Sequence, residues 1–498
     1  FFAVFCVACS VDHTGLQEGD AGFDGADVGD AAVPDAAVPD ARGVDAAVVD
    51  AAVVDVADAA VPDAGVVDAG FTDSGPIDAM PDTAPADAGC PIGTRECVDS
   101  TTLRVCVEGR WEERPCDFEC GVDGARDSCV DLIPSNLTRP LSAVTALGTV
   151  TFDEEDQWDT DECSALDNFW YVETVAGEID LCVLAFENVT FAARIEVEGQ
   201  RGLVIVATGS ITIEAEFAAD GEELRPGPGG SSNVGASASM LSGGTGGVVE
   251  VLGLGYSSDG GGGGGGFFAE GGRGGPAGGD GGSTVASGGV SGGTNGSSYR
   301  LIPLRGGGAG GIGGTSPSSG LGGGGGGAIQ FTARGDIIVD GRIRVSGGGG
   351  DGGRFENGGA DNIGAGGGGG GGGGIHFETA GTIFFRGGAN IHAGGGGGGG
   401  GGGCGDGEGG GEEEQGDDAV GGDRGPDCAG LGRISADGGD GSETGRGENG
   451  GGIDFEGGNA GGGGGGVGLV VIRADAQMGT LRGTGQRETE SPTIAAVE

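Results

Sequence analysis

The residues best placed for chemistry are carboxylates and arginines that recur at equal positions in four aligned stretches of the chain. These stretches are 181–199, 203–221, 329–347 and 375–393. Position 12 holds Glu214, Asp340 and Arg386, and position 14 holds Arg194, Glu216 and Arg342. Carboxylates stacked beside a basic group could act as the acid and base that cleave a glycosidic bond. Because each position mixes charges of both signs, we interpret them as cross-strand ion pairs on a solvated face and assign no catalytic residue.

Other candidates for catalysis are few. The 24 basic residues are all arginine, so P-loop phosphate binding and Schiff-base chemistry, which need a lysine, are excluded. Of the three histidines, His376 and His392 take outward positions of one stretch, and we predict them to be surface residues. Residues 289–293 read GVSGG and match the nucleophile pattern G-x-S-x-G. A chain with 128 glycines produces this match by chance, and no strand-to-helix context surrounds it.

The cysteines fall mainly in local, even-numbered groups, as disulfides do in exported proteins. Six of them predict a disulfide-rich module at 90–130 whose pairing the sequence leaves open: Cys90, Cys97, Cys106, Cys116, Cys120 and Cys129. Two further predicted pairs are Cys163–Cys182 and Cys404–Cys428. The module has no CxxC pair and no nearby histidine, so zinc binding is disfavoured.

The chain begins FFAVFCVACSVD, which resembles the end of a bacterial export signal. Within it, CVAC at 6–9 resembles a lipobox, and this resemblance implies lipidation of Cys9 and, with Ser10 next, an outer-membrane location. An ordinary secretory signal is the alternative, and the apolar stretch is too short to span a bilayer. We therefore read residues 1–9 as a signal remnant. We expect an exported protein that is anchored at the outer membrane and faces outward, or is secreted.

Acidic residues dominate the charge of the chain. The formal net charge of −52 disfavours nucleic acid and anionic surfaces, so we expect a lipid anchor to be the only membrane contact. Residues 10–89 carry aspartates in a D-A-A-V-P-like repeat that fits neither helix nor strand, and we predict a disordered stalk. Calcium is the one cofactor left open. Its weak candidates lie in the loop between Cys404 and Cys428: Glu412, Glu413, Glu414, Asp417 and Asp418.

The four stretches predict the elements that would position these side chains. In each, apolar residues alternate over three short runs separated by two corners, which predicts three strands per stretch. Because one stretch cannot bury its own apolar face, we expect the stretches to stack. The predicted fold is mainly β, a short parallel β-helix with coils of 19–22 residues, more consistent with the right-handed form. A fifth, irregular unit is predicted at 467–485. All the stacked three-strand units, called rungs here, therefore lie within 181–485.

Glycine runs separate these stretches. The intervals 222–328, 348–374 and 394–466 all leave from the same corner, after position 19. We expect long glycine-rich loops there, which either pack as extended segments with mutual backbone hydrogen bonds or remain flexible. Residues 136–180 are predicted to cap the first rung, and residues 486–498 to form a tail.

The rung pattern resembles parallel β-helix proteins of the pectin-lyase-like and adhesin type. The interleaved glycine runs resemble PE-PGRS-like surface proteins of high-GC bacteria, although the PE domain of that family is missing. Together these resemblances imply a non-enzymatic cell-surface or secreted protein with a structural or adhesive role. Its expected partners are the cell envelope or an extracellular polysaccharide or protein surface. The alternatives are a polysaccharide-active lyase or glycosidase and a calcium-responsive matrix component.

Overall fold

The computed structural model describes residues 89–99, 102–116, 119–123, 126–163, 170–174, 180–232, 244–247, 249–252, 256–278, 284–294, 301–314, 317–355, 363–403, 405–411, 419–426, 435–443, 445–452, 459–474, 476–479, 482–483, 486–490 and 494–497. All of them belong to one compact unit, Ala84–Glu498. The predicted lipidation site Cys9 and the predicted stalk, up to residue 88, lie outside the described residues. No helix in this described part of the chain is both long and apolar enough to cross a membrane.

The described residues are mainly β, with 33% in strands and 2% in helices. The first fourteen strands are β1 Arg95–Asp99, β2 Thr102–Val107, β3 Arg110–Pro115, β4 Glu119–Asp123, β5 Arg126–Leu132, β6 Val150–Phe152, β7 Asp156–Asp159, β8 Trp170–Thr174, β9 Asp180–Phe186, β10 Val189–Phe191, β11 Ile195–Glu198, β12 Gly202–Ala207, β13 Ile211–Ile213 and β14 Phe217–Ala218. The others are β15 Val249–Leu252, β16 Tyr256–Asp259, β17 Ala277–Gly278, β18 Thr284–Ala286, β19 Ala328–Ala333, β20 Ile337–Val339, β21 Arg342–Arg344, β22 Gly374–Thr379, β23 Thr382–Phe385, β24 Asn390–His392, β25 Leu469–Arg473, β26 Ala476–Gly479, β27 Arg482–Gly483, β28 Gln486–Glu490 and β29 Ile494–Val497. Two short 3-10 helices span Leu141–Ala143 and Thr160–Glu162.

Three sheets built by parallel pairing organise these strands. In spatial order, sheet A is β28-β25-β22-β19-β12-β9-β8, sheet B is β26-β23-β20-β13-β10-β6, and sheet C is β27-β24-β21-β14-β11-β7. Strand β8 is antiparallel to β9. Successive segments of the chain thus give one strand to each sheet and then advance by one strand spacing, about 4.8 Å. Parallel strands are stable here because both faces of sheet A are buried.

The inward side chains of the three sheets meet in one core. A phenylalanine ladder runs through it, with one ring from each of four successive segments: Phe191, Phe217, Phe331 and Phe377. Neighbouring ring centroids lie 5.2, 5.4 and 5.6 Å apart. Aromatic pairs at such distances add about 0.5–1.5 kcal/mol beyond the area they bury. The ladder therefore favours the register in which Phe331 lies opposite Ile205 and Phe377.

The predicted inward face was wrong for two strands of sheet A, β9 and β25. Leu181 and Val183, predicted to face the core, lie on the opposite side of β9. The residues of this strand that enter the core are Cys182, Leu184 and Phe186. Leu181 pairs with Gly202, one residue away from the alignment. The run LCVLAF is buried on both faces, so it contains no polar residue that could report which face is inside.

Other segments differ by longer offsets. Ile391 pairs with Ile343, two residues beyond the aligned position, because a turn closed by the Ala389 N–H and the Arg386 carbonyl lengthens the corner. Val470 pairs with Ile375, so the fifth segment is offset by three residues from the predicted unit at 467–485. An offset of two keeps every side chain on its face, whereas an offset of one or three reverses it.

The predicted cap and tail also contain strands of the sheets. Within 136–180, β6 and β7 extend sheets B and C by one more segment, and β8 covers β9. Within 486–498, β28 extends sheet A and β29 pairs antiparallel with β5. Strands β6 and β7 were missed because they lie outside the four aligned stretches, so no repeat supported such short runs.

Disulfide bonds, expected from the sequence, are present. The cysteine-rich module pairs Cys90 with Cys106 and Cys97 with Cys120, and Cys116 is disulfide-bonded as well. A further bond joins Cys163 to Cys182, linking the segment before β8 to β9. The predicted pair Cys404–Cys428 and the side chain of Cys129 lie outside the described residues. The module contains the antiparallel sheet β1-β2-β3, and β4 and β5 form another with β29.

The glycine runs form an ordered bundle, named here the glycine bundle, from segments within 219–327, 345–374 and 393–468. Its central segment, 366–373, donates its N–H groups in turn to three neighbours, 460–466, 345–351 and 308–311. Its carbonyl groups accept in turn from three others, 262–265, 396–399 and 323–326. The direction of bonding repeats every third residue, which is the period of a polyproline II helix. Six segments thus surround the central one.

Close backbone approach explains why these segments are glycine. A Cβ atom added at Gly370 would lie within 3.0 Å of the backbone of Gly324, a separation that real Cβ atoms essentially never show. Gly369 meets Gly396 in the same way, on a different side of the segment. Backbone hydrogen bonds replace the side-chain packing of an ordinary core, because every N–H group of the central segment, and every carbonyl except that of Gly372, is hydrogen-bonded to another described segment.

Candidate functional site

A row of paired charges lies on the outer face of sheet C. Glu216 Oε1 lies 3.3 Å from Arg194 Nε, and Glu216 Oε2 lies 3.4 Å from Arg342 Nη1. Arg344 bridges further along the face, 3.8 Å from Glu216 and 2.8 Å from Asp220. The residues predicted at position 14 therefore do meet as cross-strand ion pairs. Each of these carboxylates faces an arginine, so the row binds strands together and leaves no acid–base pair poised for cleavage.

Beside this row, a small open pocket with a cavity volume of about 30 Å³ lies where sheet C meets the glycine bundle. Its lining contains the carboxylates Glu196, Glu198, Asp220 and Glu222 and the arginines Arg194, Arg225 and Arg344. The pairs across it are longer than good hydrogen bonds, with Arg225 3.5 Å from Glu198 and Arg194 3.4 Å from Glu196.

We expect that replacing Glu216 will have only a small effect on stability. Glu216→Gln removes one charge from a partly exposed network, and exposed ion pairs contribute about 0.2–1 kcal/mol each. Urea unfolding should therefore show a loss of about 1 kcal/mol, decreasing in high salt. Glu214→Gln, at an exposed position on the adjacent face, is the matched control. A loss of several kcal/mol at Glu216 would show that our interpretation of the row is wrong.

A second candidate surface is the far end of the glycine bundle, where segments from separate insertions reverse direction. Ser319 Oγ donates to Asp259 Oδ2 at 3.0 Å, and the Arg354 N–H donates to the Ser318 carbonyl at 2.7 Å. The Phe355 N–H donates to Asp406 Oδ1 at 2.6 Å. The side-chain bonds thus join turns that are 60 and 51 residues apart in sequence, as in a set of binding loops on a rigid scaffold.

The same end includes the last insertion. Asn459 Nδ2 donates to the Gly402 carbonyl at 3.2 Å, and the Ala460 N–H donates to the Asp259 carbonyl at 3.3 Å. Asn459 also bridges to Ser435. We name this set of turns the distal end: residues 256–259, 314 with 317–320, 354–355 with 363–364, 402–403 with 405–406, 435, and 459–460. Exposed there are Pro317, Arg354 and Asp406.

Acidic side chains on the edge of the bundle are already engaged. Asp440 Oδ1 accepts the Gly421 N–H at 2.6 Å, and Asp437 Oδ1 accepts the Arg424 N–H at 3.0 Å. Both carboxylates accept hydrogen bonds from N–H groups that point out of the bundle, because the direction of the N–H groups repeats every third residue. Among the described residues, no group of three or more His, Cys, Asp or Glu side chains could hold a metal ion. The calcium candidates Glu412, Glu413, Glu414, Asp417 and Asp418 lie outside those residues.

A second layer covers the outer face of sheet A. Residues 132–147, named here the strap, cross the strands of this sheet, from contacts with β22 and β25 at one end to β9 at the other. Strap residues and residues of the first glycine-rich insertion form one buried cluster with the outward residues Val183, Val204, Val206 and Val471. The strap contributes Leu132, Leu137, Leu141 and Val144, and the insertion contributes Phe267, Leu301 and Leu304. Sequence reasoning missed this layer, because nothing local marks 132–147 as a cover.

Two buried carboxylates hold the strap in the same way. Glu378 accepts the Ser135 N–H at 2.8 Å and the Ser135 hydroxyl at 2.7 Å. Glu173 accepts the N–H and the hydroxyl of Thr138, both at 2.7 Å. An arginine accompanies each carboxylate, Arg473 at 3.9 Å and Arg139 at 3.4 Å. Hydrogen bonds to an ionised acceptor are stronger than neutral ones, so these are firm attachments.

The prediction that His376 and His392 are surface residues was wrong, since their exposed fractions are 0% and 1%. Both do point away from the core, but neither faces solvent: His376 lies on the outward side of sheet A, under the second layer, and His392 lies on β24 of sheet C. Beside His376, Gln330 accepts a hydrogen bond from Asn136 of the strap at 2.8 Å. Asn136 also donates to the Leu301 carbonyl at 2.9 Å. Residues from the strap and from the first glycine-rich insertion therefore meet over this part of the sheet.

No family model, no curated protein and no solved structure matches this chain.

Proposed function

We propose that this protein is a non-enzymatic structural or adhesive component of a bacterial cell surface or extracellular matrix. The observation that carries the proposal is the distal end, where turns from separate insertions are hydrogen-bonded into one surface. A bundle with a glycine backbone is stiff and presents few side chains of its own. Turns at its end can therefore carry recognition while the bundle and sheets hold them in place.

In this proposal the three sheets are the faces of a short parallel β-helix. One strand per sheet from each segment, in parallel register, supports that architecture. We infer that the glycine-rich insertions extend the stack sideways from one corner, since segments 345–353 and 393–400 stay hydrogen-bonded to each other beyond the strands. The right-handed form is the one we propose.

We further propose that the protein is exported and held outside the cell. Disulfide bonds persist in oxidising compartments, and the described residues contain them in two separate regions. Lipidation at Cys9 and an acidic stalk over 10–89 would place the bundle away from the membrane. Its partner would be an envelope component or an extracellular polysaccharide or protein surface.

The proposal is tested by binding of the full-length protein to envelope and extracellular polysaccharide preparations. Arg354→Ala with Phe355→Ala should reduce binding at least about tenfold, because both residues lie at the distal end. Glu222→Ala with Arg225→Ala, at the pocket beside sheet C, is the matched control and should bind normally. The same preparations are assayed for newly formed sugar ends.

Loss of binding in the control pair with retention in the distal pair would move the binding surface to the pocket and overturn the proposal. Release of oligosaccharides that disappears in the pocket variant would support a polysaccharide-active enzyme instead. Binding that appears only when calcium is added would favour the matrix alternative.

A further inference from the structure

His376 is buried beneath the strap without a hydrogen-bonding partner. It lies on β22 between Gln330 of β19 and Val471 of β25, in direct register with both. Neither Nδ1 nor Nε2 has a hydrogen-bond partner among the described residues. A buried imidazole in this state makes no hydrogen bond that would offset its desolvation, so its position costs stability.

The residues around His376 favour its neutral form. The charged groups that face it from the described elements are Arg473 on β25 and Glu378 on its own strand. Those from β19 and the strap are uncharged: Gln330, Thr332, Ser135 and Asn136. Burial, and then the positive charge of Arg473, lower the pKa of His376 from 6.5 to about 3. Protonation would place a second cation beside Arg473 in an environment without water.

We propose that the strap is an acid-released latch with His376 as its trigger. When the imidazole takes up a proton, the strap lifts from sheet A, the imidazolium reaches water, and the apolar outer face of the sheet becomes accessible. The residues that would be uncovered are Val183, Val204, Val206 and Val471. The inner core is a separate cluster, so the three sheets can persist while the strap is released. The latch is independent of where the protein binds its partner.

The direction of the pH effect follows from the two states of the strap. With the strap closed the pKa of His376 is about 3, and with it open the imidazole regains its ordinary value of 6.5. Acid therefore favours the open state progressively below pH 6.5. Glu378 acts in the opposite sense, because burial raises its pKa above the ordinary value in the closed state. Its protonation on acidification favours closure, so the two groups together set how far the pH must fall.

Hydrogen exchange of the full-length protein, followed by mass spectrometry and corrected for intrinsic rates, tests the proposal. Between about pH 7 and pH 4.5, the His376 shift alone predicts a change of roughly 50–100-fold in strap opening. With Glu378 opposing it, we expect peptides covering 132–147 to lose at least about tenfold in protection. Peptides covering β19 and β22 should keep theirs. Loss of protection in the strap and in both strands at the same pH would mean global unfolding and would overturn the proposal.

His376→Leu provides the decisive comparison. Leucine fills a site where the imidazole makes no hydrogen bond, so this variant should fold at least as well as the native chain at neutral pH. Its strap should stay protected down to about pH 4.5. Glu222→Gln, an exposed carboxylate far from the strap, should behave like the native protein. If the strap of His376→Leu opened over the same pH range as the native strap, another group would be the trigger and the proposal would fail.

Discussion

Gly370→Ala should destabilise the protein by roughly 3 kcal/mol, the upper range for overpacking a dense interior. The new Cβ would meet the backbone of Gly324 at less than 3.0 Å, and backbone cannot rotate away as a flexible side chain can. The Gly370 N–H donates to the Gly348 carbonyl at 2.8 Å, and its carbonyl accepts from Gly396 at 2.9 Å. Moving the segment would therefore strain bonds on several sides. Urea unfolding followed by circular dichroism measures the effect.

Gly387→Ala is the matched control. No heavy atom lies within 4 Å of the position that its Cβ would take, and Gly387 is exposed at a turn. Its stability should change by less than about 1 kcal/mol, with a small gain expected from the less flexible unfolded chain. Equal effects at Gly370 and Gly387 would contradict the packed bundle and favour flexible glycine loops.

Phe331→Ala should cost about 3–5 kcal/mol, as for other fully buried aromatic residues. Phe331 lies in the middle of the phenylalanine ladder, with its centroid 5.4 Å from Phe217 and 5.6 Å from Phe377. Its removal opens a cavity that rings from the neighbouring segments cannot fill without leaving their own positions. Thermal or urea unfolding of the purified chain checks the size of the loss.

Ile338→Ala provides the comparison for Phe331→Ala. Ile338 lies on β20 but points outward between two buried neighbours, and is only partly buried. Its truncation should cost about 1 kcal/mol. A large loss at Ile338 with little at Phe331 would mean that the strands of this segment are turned by one residue, which would exchange their two faces.

The packing of the glycine bundle matters for function as well as for stability. If the bundle is packed, the distal end is a defined surface and its turns can recognise a partner with little loss of entropy on binding. If the bundle were loose, the same turns would bind weakly and independently. Gly370→Ala should therefore lower both the stability of the protein and its binding through the distal end.

Much of the strand pattern could be predicted from the sequence. In β19 the polar residues Gln330 and Thr332 alternate with the inward residues Ile329 and Phe331, and the repeat then identified Ile337 and Val339 of β20 as inward. Alternation failed at β9, where both faces are apolar and the alternation is lost. Strands β6 and β7 were missed for a different reason, since they lie outside the aligned stretches and no repeat marked them.

Of the candidate sites, the sequence identified the ion-pair row but not the buried polar residues beneath the strap. Arg194, Glu216 and Arg342 meet because strands in register bring equal positions together, and register could be inferred from the repeat. Glu378 and Ser135 are 243 residues apart, and no repeat or motif relates them. His376 was accordingly placed in solvent, since an outward position on a strand is exposed unless something covers it.

The sequence by itself determined the three-strand repeat, the single corner from which the insertions leave, and the local grouping of cysteines. These depend on spacing along the chain and on the chemistry of neighbouring residues. Only the tertiary structure decided which face of β9 lies inside, that the glycine runs pack around one another, and that the strap buries Glu378 and His376. Each of these depends on contacts between distant segments, whose free energy comes from close packing and backbone hydrogen bonds that no single segment can make alone.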